Sequence, residues 1–150
     1  MDNNVTQKIE YEISQIDNLL GKVFLLRDLV HMRDPDFIEL CAIGSILHSY
    51  YNGIENIMML IMKNVDEQEI QGEKWHKQLL YMMFENTEKR TNVFEVQLKP
   101  QLVEYQGFRH FFRHAYGHSI QWNKMKNLFL NIEENWNDIK KNLYEFISNR

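Results

Sequence analysis

One cysteine, two prolines and six glycines that never stand side by side leave this 150-residue chain short of the residues that build many small motifs. A single thiol, Cys41, excludes a disulfide framework and a zinc site of cysteines. Flanked by apolar residues, it reads as an inert, buried small residue. Isolated glycines exclude the Gly-rich loops that cradle phosphates in P-loop and dinucleotide-binding proteins. The best candidate for a membrane segment, Ile57 to Met62, is closed by Glu55 and Lys63. It falls far short of the roughly 20 residues that a span needs. Met1 to Lys8 is polar and carries no signal-peptide core, so a soluble cytoplasmic protein is expected. The net charge of −4 leaves no basic coat, and any RNA contact must come from a local patch.

What is present is helical periodicity. With 44% hydrophobic and 25% charged residues, the chain is expected to form one domain over 1–150 with its own core. Ile9, Ile13, Ile16, Leu20, Val23, Leu26 and Val30 recur at steps of three or four, predicting one helix of about six turns. Asp34 is expected to cap a second helix whose first turn is Pro35-Asp36-Phe37 and which runs to about Val65. Within it, Gly44 and Gly53 mark close helix–helix contact. A third helix is expected from Glu73 to about Lys89, a fourth from near Pro100 to about Ser119, and a fifth from Trp122 to Asn149. Val93 to Val96 is strand-like in composition but too short for a sheet. The fold expected is all-α, an antiparallel bundle of four or five helices.

Most of the unusual residues have structural readings. The eight methionines fill gaps on apolar helix faces. Glu133-Glu134 and Lys140-Lys141 read as solvated surface. His31 and His48 stand alone in apolar stripes and read as hydrogen-bonded structural histidines. Trp75-His76 has no second ligand one turn away, so no metal site is expected there or elsewhere.

The segment from Gly107 to His118 is different. Two arginines and three of the six histidines fall in ten residues, with no acidic residue from Gly107 to Trp122. On a helix, Arg109 and Arg113 form one row and His110 and His114 an adjacent one, while Phe108, Phe111, Phe112 and Ala115 anchor the element. Guanidinium groups bind phosphate oxygens through paired hydrogen bonds. Imidazole titrates near neutrality and can move a proton from a ribose 2′-hydroxyl or to a leaving oxygen. The same side chains could instead pair with carboxylates on neighbouring helices.

Arg109, four residues, His114, one residue and Tyr116 form a spacing that resembles the signature of HEPN-domain ribonucleases, and the tyrosine narrows the likeness to HepT-like toxins. Leu47 to Glu55, Trp75 to Leu80 and Leu102 to Trp122 resemble successive landmarks of one HepT-like branch. This resemblance implies a metal-independent endoribonuclease with no cofactor, working as a homodimer with a composite cleft. It assigns Arg109 to the scissile phosphate and His114 to proton transfer, with a 2′,3′-cyclic phosphate product. His110, Arg113 and His118 would support RNA binding. It further implies a toxin–antitoxin pair in which a minimal nucleotidyltransferase antitoxin adds AMP to Tyr116, satisfying the cations that RNA needs. Tyr116 lies seven residues beyond Arg109, which on a continuous helix gives them one face. Arg113 and His118 make a competing frame, with Ile120 where the tyrosine belongs. The alternative is a non-catalytic HEPN-like module that binds nucleotide or RNA and docks a nucleotidyltransferase.

Overall fold

Asp36, not Asp34, opens the long central helix. Its carboxylate accepts from the Glu39 backbone N–H at 2.9 Å, and Glu39 accepts from the Asp36 N–H at 2.8 Å. This reciprocal capping box satisfies two of the donors that every helix start leaves unpaired. Arg33 clamps Glu39 through two bonds of 2.8 and 3.0 Å, and Pro35 is buried just ahead of the cap. The Asp-x-x-Glu spacing was the signal for the start, and it sits one residue past the proline.

The computed structural model describes residues 1–115 and 120–150. Among these the chain forms α1 (Asn3–Gly21), α2 (Phe24–Met32), α3 (Phe37–Asn64), α4 (Trp75–Met82), α5 (Lys99–His114), α6 (Trp122–Leu130) and α7 (Ile132–Ser148). A single 3₁₀ turn, Val96–Leu98, leads into α5, whose first turn holds Pro100. No strand occurs among the described residues, so the all-α expectation holds. Seven helices appear because two expected helices each break once. None is long and apolar enough to cross a membrane.

The first expected helix breaks at Lys22-Val23, where the Lys22 N–H turns back to Leu19 and Leu20 and Val23 is buried. The last breaks at Asn131, whose side-chain amide donates to the Asn127 carbonyl at 2.8 Å and competes with the helical ladder. The third is much shorter than its pattern. Arg90 folds back over it, donating to the carbonyls of Met82 at 3.2 Å and Glu85 at 3.0 Å. The Met83 carbonyl meanwhile takes the N–H groups of Val93 and Phe94. Backbone groups that would extend α4 are thus used by the following loop.

Helix α3 lies at the centre and packs against α1, α4, α5 and α6. Gly53 and Gly44 let two neighbours come close. A Cβ at Gly53 would stand 2.7 Å from Ile16 of α1, and one at Gly44 would stand 2.7 Å from Phe112 of α5. Helix α5 runs antiparallel to α3, since Phe112 meets Gly44 while Arg109 meets Asn52 further along. Tyr50, Tyr105 and Trp136 stack edge to face in the core. The Tyr50 hydroxyl donates to Asn135 at 2.5 Å and that of Tyr105 to the Leu128 carbonyl at 2.6 Å. These bonds tie α3 to α7 and α5 to α6 and leave neither hydroxyl unpaired.

Candidate functional site

The last two turns of α5 carry the arginine–histidine cluster, and the helix divides it into two sides. Phe108 is buried, half-buried Phe111 lies under Lys124 of α6, and half-buried Phe112 packs against Gly44 and His48 of α3, which anchors this amphipathic segment. Arg109 faces inward with them, only 8% exposed. His110, Arg113 and His114 face outward. The rings of His110 and His114 lie 4.8 Å apart, one turn from each other as their spacing predicts.

Arg109 is held by residues from α3. Its Nε donates to Asn52 Oδ1 at 2.8 Å, and Nη2 lies 3.5 Å from Glu55 Oε1. Glu55 is itself buried, and its other oxygen, Oε2, accepts from His76 Nδ1 at 2.8 Å. An ionised carboxylate offers only lone pairs, so in such a pair Nδ1 is the donor. The His76 ring stacks on Trp75, with centroids 3.6 Å apart. A continuous polar chain therefore runs His76–Glu55–Arg109–Asn52 through α4, α3 and α5.

His48 lies one turn before Asn52 on the same face of α3. Its ring packs 5.4 Å from Phe112, and its Nδ1 is buried without a hydrogen-bond partner among the described residues. The hydrogen bond expected for a structural histidine is not made by Nδ1 among the described residues, where the ring instead packs on Phe112. Burial pushes its pKa below the ordinary value, Arg109 and Arg113 push it further, and Glu55 opposes them. The Tyr51 hydroxyl is also buried without a partner among the described residues. Burial drives its pKa far up, with Glu55 adding to the rise and Arg109 opposing it. Both orphaned groups thus lie in the fields of Arg109 and Glu55.

Several expectations need correction. Helix α5 ends at His114, with Ala115 extended at φ −89° and ψ 144°, rather than running to about Ser119. The shared face of Arg109 and Tyr116 depended on that continuation. Tyr116 and His118 themselves lie outside the described residues. Cys41 is half-buried rather than buried. Asn52, Glu55, His48 and His76 were not singled out as site residues. The recoverable signal was the spacing of His48, Asn52 and Glu55 at i, i+4 and i+7, which puts three polar side chains on one face of a helix rich in apolar residues. Nothing in the spacing of α4 shows that His76 meets Glu55. Among the described residues no group of three His, Cys, Asp or Glu could hold one metal ion.

Comparison with curated proteins and with solved structures gave no match. A family model described as HepT-like protein matches residues 42–150, a span that includes His48, Asn52, Glu55, His76, Arg109 and His114. With most of its length inside that match, and folded as an all-α bundle, the chain belongs to the HepT-like family of the HEPN superfamily.

Proposed function

We propose that this protein is a metal-independent endoribonuclease, the toxin of a prokaryotic toxin–antitoxin pair, acting in the cytoplasm as one helical unit over residues 1–150. The observation that carries the reading is an anchored cation and an exposed imidazole on one helix: Arg109 bonded to Asn52 and 3.5 Å from Glu55, and His114 open to solvent. Arg109 would bind the non-bridging oxygens of the scissile phosphate and stabilise the charge that builds there. His114 would transfer the proton as the 2′-oxygen bonds to phosphorus, the 5′-oxygen leaves, and a 2′,3′-cyclic phosphate remains. His110 and Arg113 would bind flanking phosphates, with His118 nearby in sequence.

Homodimerisation belongs to this reading for a geometric reason. Residues five apart on an α-helix diverge by about 140° around its axis. One copy therefore turns Arg109 inward and His114 outward, and a second copy would complete the cleft. Apposing two such ends would also concentrate positive charge on a chain whose total is −4.

Control would come from a minimal nucleotidyltransferase antitoxin that adds AMP to Tyr116, whose phosphates would compete for the cations that bind RNA. Tyr116→Phe should keep cleavage and escape modification.

The test is cleavage of a mixed cellular RNA pool, in chelator, by wild type, Arg109→Ala and His114→Ala, with the intact mass of each protein recorded. Cutting by wild type alone, leaving cyclic phosphate ends, supports the reading. Retained cutting by His114→Ala removes the assigned mechanism. No cutting by protein of unmodified mass moves the assignment to a non-catalytic nucleotide- or RNA-binding module that docks a nucleotidyltransferase.

A further inference from the structure

Glu55 stands between two partners and does not hold them equally. Its bond to His76 is a full 2.8 Å hydrogen bond, whereas Arg109 Nη2 stays 3.5 Å away. Elsewhere the same chain closes two arginine–carboxylate pairs completely. Arg90 grips Asp66 through bonds of 2.6 and 2.9 Å, and Arg33 grips Glu39 through bonds of 2.8 and 3.0 Å. Such two-bond forks are the favoured geometry for these ions. The Arg109–Glu55 pair is buried, where Coulomb attraction is strong, yet it remains open. What opposes closure is on the other side of the carboxylate: His76, its ring fixed against Trp75, binds Oε2. Asn52 meanwhile fixes Nε, and among the described residues Nη1 has no hydrogen-bond partner. None of the described residues bonds the Nη1 edge of the guanidinium.

We propose that His76 is a positioning residue that holds Glu55 back from Arg109 and so keeps the outer edge of the guanidinium open for an RNA phosphate. The inference rests on the reading of Arg109 as a phosphate-binding residue, and it adds a role for α4 in the site. Without the His76 bond, Glu55 is free to close on Arg109 as a two-bond fork. An incoming phosphate must then displace a buried carboxylate already in place. His76 acts on substrate only through Glu55, so its removal should be repaired by removing the charge it restrains.

The test measures binding of a labelled single-stranded RNA whose riboses are all 2′-O-methylated, which cannot be cut because the attacking hydroxyl is blocked. Fluorescence anisotropy is recorded for wild type, His76→Ala, His76→Asn and the double variant His76→Ala/Glu55→Gln, each checked by circular dichroism. His76→Ala should bind at least about tenfold more weakly, with a shallower salt dependence by roughly the 0.7 expected for one lost phosphate contact on a single strand. The double variant should recover most of that loss, since an uncharged amide in place of the carboxylate no longer neutralises Arg109. His76→Asn, which retains a donor near the Nδ1 position, should recover part of it.

Wild-type affinity in His76→Ala overturns the inference. A loss that Glu55→Gln fails to repair also overturns it, because damage to packing alone would only deepen in the double variant. No binding by wild type at low salt overturns both this inference and the reading of Arg109 beneath it. Binding by wild type without cleavage of unmodified RNA overturns only the nuclease, and His76 is then judged on the affinities themselves.

Discussion

The side-chain oxygen of Asn52 accepts from Arg109 Nε at 2.8 Å, across 57 residues of chain. That bond sets the direction in which the guanidinium presents its remaining donors. Asn52→Ala should leave Arg109 in place but unaimed, with a buried donor unpaired at a cost of about 1–3 kcal/mol. Misplacement of about an ångström can slow catalysis on the order of 10²-fold. We expect a loss near that size in single-turnover cleavage, with helical content unchanged. A rate within twofold of wild type would show that Asn52 does not aim the group.

Gly44 and Phe112 set how closely α5 approaches α3. Replacing a helical glycine by alanine gains about 0.8–1 kcal/mol of propensity. Here the new Cβ would press within 2.7 Å of the Phe112 ring, which must shift. Gly44→Ala should come out near neutral in thermal melts, because the two effects oppose one another. Gly44→Val adds bulk and a β-branch, so overpacking of about 1–3 kcal/mol should prevail and lower the melting temperature. Equal melting temperatures for Gly44→Val and wild type would contradict the close approach.

The Arg90–Asp66 pair is buried at 1% exposure on both side chains, and Arg90 also bonds three backbone carbonyls. Removing one member of such a pair leaves an uncompensated buried charge, typically costing about 3–5 kcal/mol. Arg90→Ala should lose stability in that range in urea unfolding and loosen the loop after α4. Asp66→Asn keeps an acceptor and should lose less. A cost below about 1 kcal/mol for Arg90→Ala would mean that the loop holds without this pair.

His48 is held below the ordinary 6.5, first by burial and then by Arg109 and Arg113. Because its folded pKa is depressed, the unfolded chain binds the proton more readily. Its contribution to stability is complete above pH 6.5 and is lost as pH falls toward and through the folded value. Urea midpoints should therefore drop on acidification in that window, and His48→Gln should remove part of the slope. In an NMR titration, Arg113→Gln should move the His48 midpoint upward. An unmoved midpoint would remove Arg113 from the causes of the shift.

Legibility varied with how local each cause was. The stripe through Ile9, Ile13, Ile16 and Leu20 is buried as its period predicts, and α3 runs close to its expected length. The cluster Arg109, His110, Arg113 and His114 does lie on one helix. Breaks were harder. Gly21-Lys22-Val23 and Asn131 interrupt patterns that continue in register on both sides, so periodicity runs straight through them. Helix α4 stops early because Arg90 folds back from beyond its end, and a local window does not contain that interaction.

The sequence by itself determined an all-α chain, the stripes that become its core, and the clustering of arginines and histidines toward the end of α5. Those properties follow from residue type and from steps of three or four along one helix. Only the tertiary structure decided which arginine turns inward and what it meets. Asn52, Glu55 and His76 come from two other helices, and their meeting with Arg109 depends on how α3, α4 and α5 pack. Side chains far apart in sequence share a dielectric and compete for one another's hydrogen bonds only after the helices have docked. In that docked arrangement Glu55 holds His76 at 2.8 Å and leaves Arg109 at 3.5 Å.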